Sequence, residues 1–457
     1  MIIQQKNTLK YFKGMVLLIK KEGEKSLVKI KTIKNSIKEG SFTKNVLMIT
    51  GGAVFAQALS VLLSPIITRL YSPEQYGVLT VYVAFLGMIN LLGALSYDSA
   101  IPIADDDEKA FNVFVLCLLI LLFVTSILFF AVAIAGDIFL GLFKAEEIVQ
   151  YKYFIPIGFF LTGFYTVMSQ WALRKRNFKS ITVTKYSQSI TGNSIKIGLG
   201  FFNVGAVGLI VGNILSQSAG IFTLIKPNIG EFKIMIKSVD YQKIKSLAKR
   251  YIKFPLYTAP GLFILSASGQ LPTIFMSSLY GTGIVGLYGL ARSISFLPMT
   301  IVGKSVQDVF YGEAASIGRT NPTRIKELSN KLLKKLILLA SIPMLTLILF
   351  GPTLFSFVFG ADWRAAGMFA RILSIEVFFH FIFHPISTVF SIFEQQKKSL
   401  FIYILKLILV LGVFISARLL GFDTYLTVLI YSISMAIVEL FKFILAQKII
   451  EEEIRKK

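Results

Sequence analysis

The chain has 457 residues, of which 54% are hydrophobic and only 16% are charged, and it contains 41 Phe. This composition is too apolar for a soluble protein of such length and is typical of membrane proteins. A net charge of +23 would suit a nucleic-acid-binding protein, so the positions of the charges must decide between membrane topology and nucleic acid.

Charge-free runs of about 20 residues or more recur along the chain, which is the length that a helix needs to cross the apolar core of a bilayer. A run such as VFVLCLLILLFVTSILFFAVAIA lacks the apolar-polar alternation of transmembrane barrels. We therefore predict an all-α integral membrane protein with about twelve transmembrane helices. The predicted spans are approximately 45–69, 77–97, 110–135, 151–172, 187–203, 206–225, 254–279, 285–309, 336–360, 366–393, 399–417 and 424–446.

Residues 1–44 precede the first span and carry 11 Lys against three Glu. Three interpretations stay open for this arm: an amphipathic helix on the membrane surface, a disordered basic segment, or translation from a start codon placed too far upstream. The small residues of AVFAQA are compatible with signal-peptide cleavage, but the 24 charge-free residues from Asn45 to Thr68 favour a retained helix.

Lys and Arg divide very unequally between the two sides of the membrane. With the N-terminus in the cytoplasm, 37 of the 48 fall in cytoplasmic loops and tails, and 5 fall on the opposite side. This imbalance satisfies the positive-inside rule, so both termini are predicted to be cytoplasmic. The excess charge is explained by topology and by attraction to anionic lipid, and we expect no nucleic-acid partner.

One turn occurs twice, as LYSPEQYG at 70–77 and as LYGTGIVG at 279–286, with Leu, Tyr and Gly offset by 209 residues. Each copy falls between the first two of six spans, on the outer side, so the halves share topology, as parallel transporter repeats do. The predicted organisation is a basic cytoplasmic arm (1–44), an N-terminal six-helix lobe (45–225), a basic cytoplasmic linker (226–253), a C-terminal six-helix lobe (254–446) and a charged cytoplasmic tail (447–457).

The segments around these turns include SPIITRLYSPEQYGVLTVYVAFLGMI and FPLYTAPGLFILSASGQLPTIFMSSLYGTGIVGLYGLARSISFLPMTIVGKSVQDVFYGEA. They resemble the bacterial polysaccharide-unit flippases, the O-antigen and capsule branch of the multidrug/oligosaccharidyl-lipid/polysaccharide exporter superfamily, over residues 42–447. The resemblance implies two six-helix lobes around a central cavity in the cytoplasmic (inner) membrane. It also implies translocation of undecaprenyl-diphosphate-linked oligosaccharide to the periplasmic leaflet by alternating access. Expected partners are this substrate, membrane lipid, a polysaccharide polymerase and glycosyltransferases.

The second span departs from the family pattern, because Ser96-Tyr97-Asp98 stands where many relatives have Arg-Tyr-Glu. Two other activities of the same superfamily stay open: a cation-coupled multidrug antiporter, and an exporter of teichoic-acid or peptidoglycan precursors. The antiporter should favour acids and aromatics in its cavity, whereas the deeper charges here are mostly Lys and Arg. An enzyme is not expected, because the outer loops are short and offer no nucleophile with a base. The lone Cys117 allows no intramolecular disulfide.

Ionisable residues within the spans are the candidate substrate-binding residues. A charge at the helix centre costs about 2.5–3.5 kcal/mol on insertion scales, so such residues usually face a cavity or a partner. They are Lys196, Arg292, Arg371 and Lys406. A diphosphate that crosses the membrane needs cations in place of its hydration water. Pairing and snorkelling are the alternatives, and snorkelling is expected for Lys304 and Lys442, which lie nearer the inner ends.

The tenth span contains EVFFHFIFHP, which puts Glu376, His380 and His384 on one helix face at intervals of four. Because His titrates near neutral pH, these residues are candidates for proton coupling or gating, with sugar binding and structural polar contacts as alternatives. One helix rarely supplies enough metal ligands, so no metal site is assigned. Asp98 and Asp308, at comparable inner ends of spans two and eight, are further coupling candidates or ordinary interfacial carboxylates. No cofactor is expected, and the driving ion stays open between protons and sodium.

Helix breakers concentrate in the seventh span, which we expect to bend during transport because the freed carbonyls need other partners. Single prolines also interrupt the eighth span and follow His384, where a kink is expected. The acidic run at 105–109 is interpreted as a solvated loop. The breakers are Pro255, Pro260, Gly261, Gly269, Pro272, Pro298 and Pro385.

Overall fold

The computed structural model describes residues 42–142, 146–318 and 321–456. Most of the predicted basic arm lies outside the described residues. Within them the chain forms fourteen helices of ten residues or more. They are α1 (Phe42–Leu70), α2 (Pro73–Ile89), α3 (Asp107–Leu142), α4 (Phe154–Arg174), α5 (Phe178–Phe201), α6 (Ala206–Ser218), α7 (Tyr241–Arg250), α8 (Ala259–Tyr280), α9 (Thr282–Ser295), α10 (Lys304–Ile317), α11 (Pro322–Phe359), α12 (Arg364–Phe383), α13 (Gln396–Leu420) and α14 (Thr424–Arg455).

The predicted all-α membrane fold is confirmed. Ten of the helical segments are long and apolar enough to cross a membrane. Helices α4 and α5 cover the remaining two predicted spans, while α9 and α10 together make the eighth. The amphipathic α7 lies in the linker. We call the side of the membrane that carries the linker the linker side, and the opposite side the far side.

Side-chain caps set several of the helix starts. Ser72, in the first copy of the repeated turn, accepts a hydrogen bond from the backbone N–H of Gln75, whose side chain accepts in return from the Ser72 N–H. This capping box, with Pro73 in the first turn, fixes where α2 begins. Asn321 and Asp423 cap α11 and α14 by the side-chain bond alone: one side-chain oxygen of each accepts a hydrogen bond from a backbone N–H of the first turn.

The second span ends at Ile89, earlier than the predicted residue 97. A 3₁₀ turn at Asn90–Leu92 follows, and Leu95 and Ser96 then adopt φ of 47° and 62°. Consecutive left-handed residues are sterically unfavourable for non-glycine side chains and cannot continue a helix. The chain therefore turns before Asp98, which lies in a separate 3₁₀ segment, Tyr97–Ala100.

The helices pack as two lobes of six. In the first lobe α5 lies between α1 and α6, and α3 packs on α4; in the second, α12 packs on both α11 and α14, and α8 on α13. The lobes meet where α2 packs on α8 and α9, and where α1 contacts α11.

The two copies of the repeated turn contact each other across the lobe boundary. A Cβ placed on Gly77 would lie 1.9 Å from the carbonyl oxygen of Thr282, and one on Gly286 would lie 1.9 Å from that of Pro73. Only glycine permits this approach of two backbones. Pro73 and Thr282 are themselves 209 residues apart, as are Gly77 and Gly286.

The same relation continues one turn further along both helices. A Cβ on Gly289 would lie 2.5 Å from the Thr80 side chain, and these positions again differ by 209 residues. The repeat therefore builds a pseudo-symmetric seam in which equivalent residues of α2 and α9 face each other.

Hydrogen bonds join the lobes at the far side. The indole N–H of Trp363 donates to the Thr68 carbonyl at 2.8 Å, and the Thr68 hydroxyl donates to the Phe359 carbonyl at 3.0 Å. Arg69 reaches the Phe357 carbonyl at 3.4 Å. Because Trp363 is fully buried, these contacts close the far-side ends of α1 and α11 against each other.

The acidic run at 105–109 is more than a solvated loop. Arg250 of α7 forms a two-pronged ion pair with Asp105, and Lys243 pairs with Glu108. Arg250, together with Lys109, holds the pKa of the Asp105 carboxyl well below its usual range. Asp107 binds Arg174 and Lys175 at the end of α4 at 2.8 and 2.6 Å. The acids thus tie the linker to the first lobe.

Three of the predicted helix breakers lie where the backbone departs from α-helical geometry, while Pro260, Gly261, Gly269 and Pro272 lie within α8. A π-helical turn over Phe254–Thr258, which contains Pro255, leads into α8. A second π turn, Met299–Gly303, follows Pro298 and separates α9 from α10. Around Pro385 the chain changes to a 3₁₀ segment, His384–Thr388. Bending of the seventh span during transport stays a prediction.

Candidate functional site

A cavity of about 170 Å³ lies between the lobes and contains Lys196. From the first lobe, α1 contributes Gln57, Ser60 and Ser64, and α5 contributes Asn193 and Lys196. From the second lobe, α9 and the turn that follows it contribute one polar and three apolar side chains, which are Leu290, Ser293, Ile294 and Leu297. The wall of the first lobe therefore carries most of the polar side chains, beside apolar ones such as Val61, Ile67 and Leu209, while the facing wall is mostly apolar.

Small residues allow Lys196 to occupy its position. A Cβ on Gly212 of α6 would lie 2.3 Å from the Lys196 Cγ, so the lysine stem packs directly on the glycine. The Tyr71 hydroxyl donates to the Lys196 carbonyl at 2.7 Å and holds the backbone there. Among the described residues, no hydrogen-bond or ion-pair partner meets the Lys196 ammonium. The ammonium therefore has only the cavity in which to find a partner.

The polar side chains beside Lys196 are themselves hydrogen-bonded. The Asn193 amide donates to the Ser60 hydroxyl at 3.0 Å, and the Ser189 hydroxyl donates to the Ala56 carbonyl at 2.9 Å. These bonds join α5 to α1. They use much of the polar capacity of the serine and asparagine side chains, so the lysine is the charged group that retains unused donors among the described lining residues.

Arg292 lies in a second, separate group of polar side chains inside the second lobe. Its Nη1 donates to the hydroxyls of Tyr288 and Tyr431 at 3.2 and 3.3 Å and lies 3.7 Å from Glu376 Oε2. The Tyr431 hydroxyl donates to Glu376 Oε1 at 3.3 Å, and the guanidinium also stacks on the Phe296 ring. Arg292 is thus neutralised by Glu376 within its own lobe.

The predicted stripe of His380 and His384 faces α14, which supplies an acid and a base. His380 Nδ1 lies 2.8 Å from Glu439 Oε1, and Lys442 Nζ lies 3.1 Å from His384 Nδ1 and 3.4 Å from Glu439 Oε2. Lys442 is only 9% exposed, so the prediction that it snorkels is wrong. The nearby carboxylate holds its ammonium inside the lobe. Lys304 is instead exposed and pairs with Asp308.

Glu439 was missed by the sequence reasoning although a signal was available. It lies within the twelfth predicted span, 424–446, and the cost of an intramembrane charge applies to it as it does to Lys196. No spacing pattern links Glu439 to His380, because the two residues are 59 positions apart. Only the packing of α12 on α14 brings them together.

His380, His384 and Glu439 each offer one metal-ligand atom, and these atoms lie within 4.8 Å of one another. Two His and one Glu form a ligand set known from zinc sites. The Lys442 ammonium, however, lies against two of the three groups and would oppose a second cation there. The arrangement fits a hydrogen-bonded ion-pair network better than a metal centre.

The structure places Arg371 and Lys406 apart from the Lys196 cavity. Arg371 donates to the Leu349 carbonyl at 3.5 Å at the contact of α12 with α11. Lys406 of α13 is partly buried, and its ammonium has no hydrogen-bond or ion-pair partner within residues 42–142, 146–318 and 321–456. The four predicted cations therefore do not form one cluster.

Asp98 and Asp308 occupy unlike surroundings. Asp98 is partly buried and accepts a hydrogen bond from the Gln170 side chain at 3.4 Å. Burial raises the pKa of its carboxyl, and the Gln170 bond offsets part of that shift. Asp308 is largely exposed and pairs with Lys304 at 3.2 Å on the same helix.

We expect Glu439→Gln to destabilise the protein strongly. The change leaves the Lys442 ammonium buried without its carboxylate, and removing one partner of a buried ion pair typically costs about 3–5 kcal/mol. The unfolding temperature of the purified protein in detergent measures the effect.

Two further variants make this test specific. Glu453→Gln on the same helix removes the partly buried partner of the exposed Lys456 and should change stability by about 1 kcal/mol or less. Lys442→Met added to Glu439→Gln should recover much of the loss, because no buried charge is then unpaired. Equal melting of Glu439→Gln and the Glu453→Gln control would contradict the ion-pair assignment.

Comparison with known proteins agrees with this architecture. Residues 66–368 match the model of a family described as "Polysaccharide biosynthesis protein". No curated protein matches the sequence significantly. Among solved structures, the inward-facing conformation of a multidrug resistance MATE family transporter of the MOP superfamily is 16% identical, with a TM-score of 0.69 over 87% of this chain and 96% of that one.

Two other structures show the same fold. The lipid II flippase MurJ in an inward closed conformation is 16% identical, with a TM-score of 0.66 over 88% of this chain and 87% of that one. An outward-facing MATE family transporter is 17% identical, with a TM-score of 0.57 over 92% and 98%. With its family match over most of the chain, the protein belongs to the polysaccharide biosynthesis protein family, and it has the two-lobed membrane fold of MOP-superfamily transporters.

Proposed function

We propose that the protein is a flippase that moves undecaprenyl-diphosphate-linked oligosaccharide units from the cytoplasmic to the outer leaflet of the bacterial inner membrane, for synthesis of O-antigen, capsule or a related surface polysaccharide. The observation that carries the proposal is the Lys196 ammonium, which enters an interlobe cavity without a counter-ion among the described residues. An unpaired cation inside a membrane is costly and is compensated when an anion binds. The diphosphate is the anionic part of such a substrate.

The size of the cavity supports alternating access. At about 170 Å³ it lies below the roughly 300–1,000 Å³ of typical small-molecule sites, so an oligosaccharide needs the lobes to separate. The hydrogen bonds through Trp363 and Thr68 hold the far-side ends together, which favours opening on the linker side first. In the proposed cycle the diphosphate meets Lys196 there, the prenyl tail stays in lipid, and the lobes then rock to open the far side.

The second lobe is proposed to drive this cycle. Arg292 and Lys442 already have Glu376 and Glu439 as counter-ions, so they are less available to a diphosphate than Lys196. Our candidates for proton or sodium coupling are these two acids, Glu376 and Glu439, with His380 and His384. Asp98 and Asp308 at the linker side are further candidates. Lys406 and Arg371 remain candidate contacts for the substrate in a more open state.

Buried acids also favour a second candidate, a cation-coupled antiporter of drug-like molecules. Glu376 and Glu439 are both buried and would suit cation binding in such a protein. The unpaired Lys196 opposes this alternative, because a cationic drug would be repelled from the interlobe cavity. An exporter of peptidoglycan or teichoic-acid precursors shares the diphosphate chemistry and differs in the group that the diphosphate carries.

Lipid-linked oligosaccharides in cells that lack the gene test the proposal. We expect the carrier-linked unit to accumulate in the cytoplasmic leaflet and to be cleared when the wild-type gene is restored. Accumulation of a peptidoglycan or teichoic-acid precursor would assign the alternative exporter. No accumulation, together with increased sensitivity to cationic compounds, would establish the antiporter instead.

A further inference from the structure

The beginning of the linker combines exposed apolar and basic side chains in a way that lobe packing does not explain. Ile234 and Ile236 are 73% and 66% exposed, and they lie near the end of the helical segment Ala206–Ser238 that begins with α6. Lys233 and Lys237 beside them are exposed as well. We call residues 226–237 the linker surface.

The linker surface is anchored at the boundary of the membrane. Phe232 packs against Phe111 and Phe114 of α3 and Trp171 of α4, with ring centroids 5.4–5.7 Å apart. These three residues lie in the first turns of α3 and the last turn of α4, at the linker-side ends of both helices. The neighbours of Phe232 are therefore held beside the linker-side ends of two helices of the first lobe.

The charge of the linker surface points to an anionic partner. Its only acid, Glu231, is bound by Lys175 at 2.5 Å on the side of the lobe. The charges left exposed are all positive, on Lys226, Lys233 and Lys237. Apolar side chains between lysines are typical of segments that lie in the plane of the membrane interface, where the apolar groups enter the acyl boundary and the ammonium groups meet phosphates.

We propose that the linker surface binds anionic phospholipid of the cytoplasmic leaflet, with Ile234 and Ile236 inserted below the headgroups and Lys233 and Lys237 paired with lipid phosphates. The acids at 105–108 hold α7 to the first lobe, so the lipid contact and these ion pairs together fix the linker to one lobe. This proposal is independent of what the protein transports.

Spin labels on the full-length protein in vesicles test the contact. The only cysteine, Cys117, is buried, so a cysteine in place of Ile234 is the single exposed thiol. Reference labels go on Leu338, an exposed apolar residue of α11, and on Glu327, an exposed acid near the start of the same helix. We expect the nitroxide at 234 to collide mainly with oxygen, as the label at 338 should. The label at 327 should instead collide mainly with a water-soluble nickel chelate.

Varying the lipid composition then shows how much the lysine charges contribute to the depth of the label. The label at 234 should lie deeper in vesicles that contain phosphatidylglycerol than in pure phosphatidylcholine. Lys233→Gln with Lys237→Gln should abolish that difference, whereas Lys331→Gln with Lys334→Gln, on exposed residues of α11, should leave it unchanged. A label as accessible to nickel as the one at 327 in both vesicles overturns the proposal. A label depth that is the same in both kinds of vesicle also overturns it. If the label is protected from nickel only in native membranes and not in vesicles, the surface binds a protein partner instead, and the proposal is likewise wrong.

Discussion

Replacing Lys196 by Gln is expected to reduce translocation of the lipid-linked unit by about ten- to a hundredfold. A hydrogen bond to a charged group contributes about 1.5–3 kcal/mol, and each 1.36 kcal/mol changes a rate tenfold. The loss should be large because no second cation among the described residues lines the same cavity, and Arg292 is held by Glu376 inside its own lobe. The measurement is the amount of carrier-linked unit that remains in the cytoplasmic leaflet of complemented cells.

Three variants distinguish loss of charge from loss of structure. Lys179→Gln removes an exposed lysine from the same helix and should transport normally. Lys196→Arg keeps the charge and should retain part of the activity. Gly212→Ala leaves Lys196 in the sequence but puts a methyl 2.3 Å from its Cγ and 2.9 Å from the Gly192 carbonyl oxygen, so it should impair transport by displacing the lysine stem and the contact of α5 with α6. Normal clearance by Lys196→Gln at normal protein levels would remove the lysine from the proposed mechanism.

Gly286→Ala is expected to destabilise the seam between the lobes. The new methyl would lie 1.9 Å from the Pro73 carbonyl oxygen and 2.8 Å from the Gly77 nitrogen. Neither atom can move without shifting the backbone of α2. Overpacking of this kind costs about 1–3 kcal/mol, and Gly77→Ala, whose methyl meets the Thr282 carbonyl, should have a similar effect. Thermal unfolding in detergent measures both.

Gly269→Ala provides the matched control. Gly269 lies within α8, and a Cβ there would meet no atom within 4 Å. Replacing a helical glycine by alanine usually stabilises by about 0.5–1 kcal/mol, so this variant should melt at or above the wild-type temperature. If the unfolding temperature of Gly286→Ala equals that of Gly269→Ala instead of being lower, the lobes do not meet through this seam.

The charged residues show where sequence reasoning stops. Lys196, Arg292 and Lys406 were all found because a charge inside an apolar span is costly wherever it lies. Their situations nevertheless differ: Arg292 has an acid partner in its own lobe, while Lys196 and Lys406 have no counter-ion among the described residues. The cost of burial is a local property that a sequence displays, whereas the partner that offsets it comes from another helix.

The sequence by itself determined the helical membrane class, the approximate positions of the twelve spans and the duplication, because each follows from runs, breakers and charges that are close together in the chain. The tertiary structure decided that Glu439 meets His380, that Lys442 is buried beside His384, and that Gly77 and Gly286 face each other. These contacts join residues 58 or more positions apart. They depend on which helices pack together and in what rotation, and no local pattern of residues specifies that.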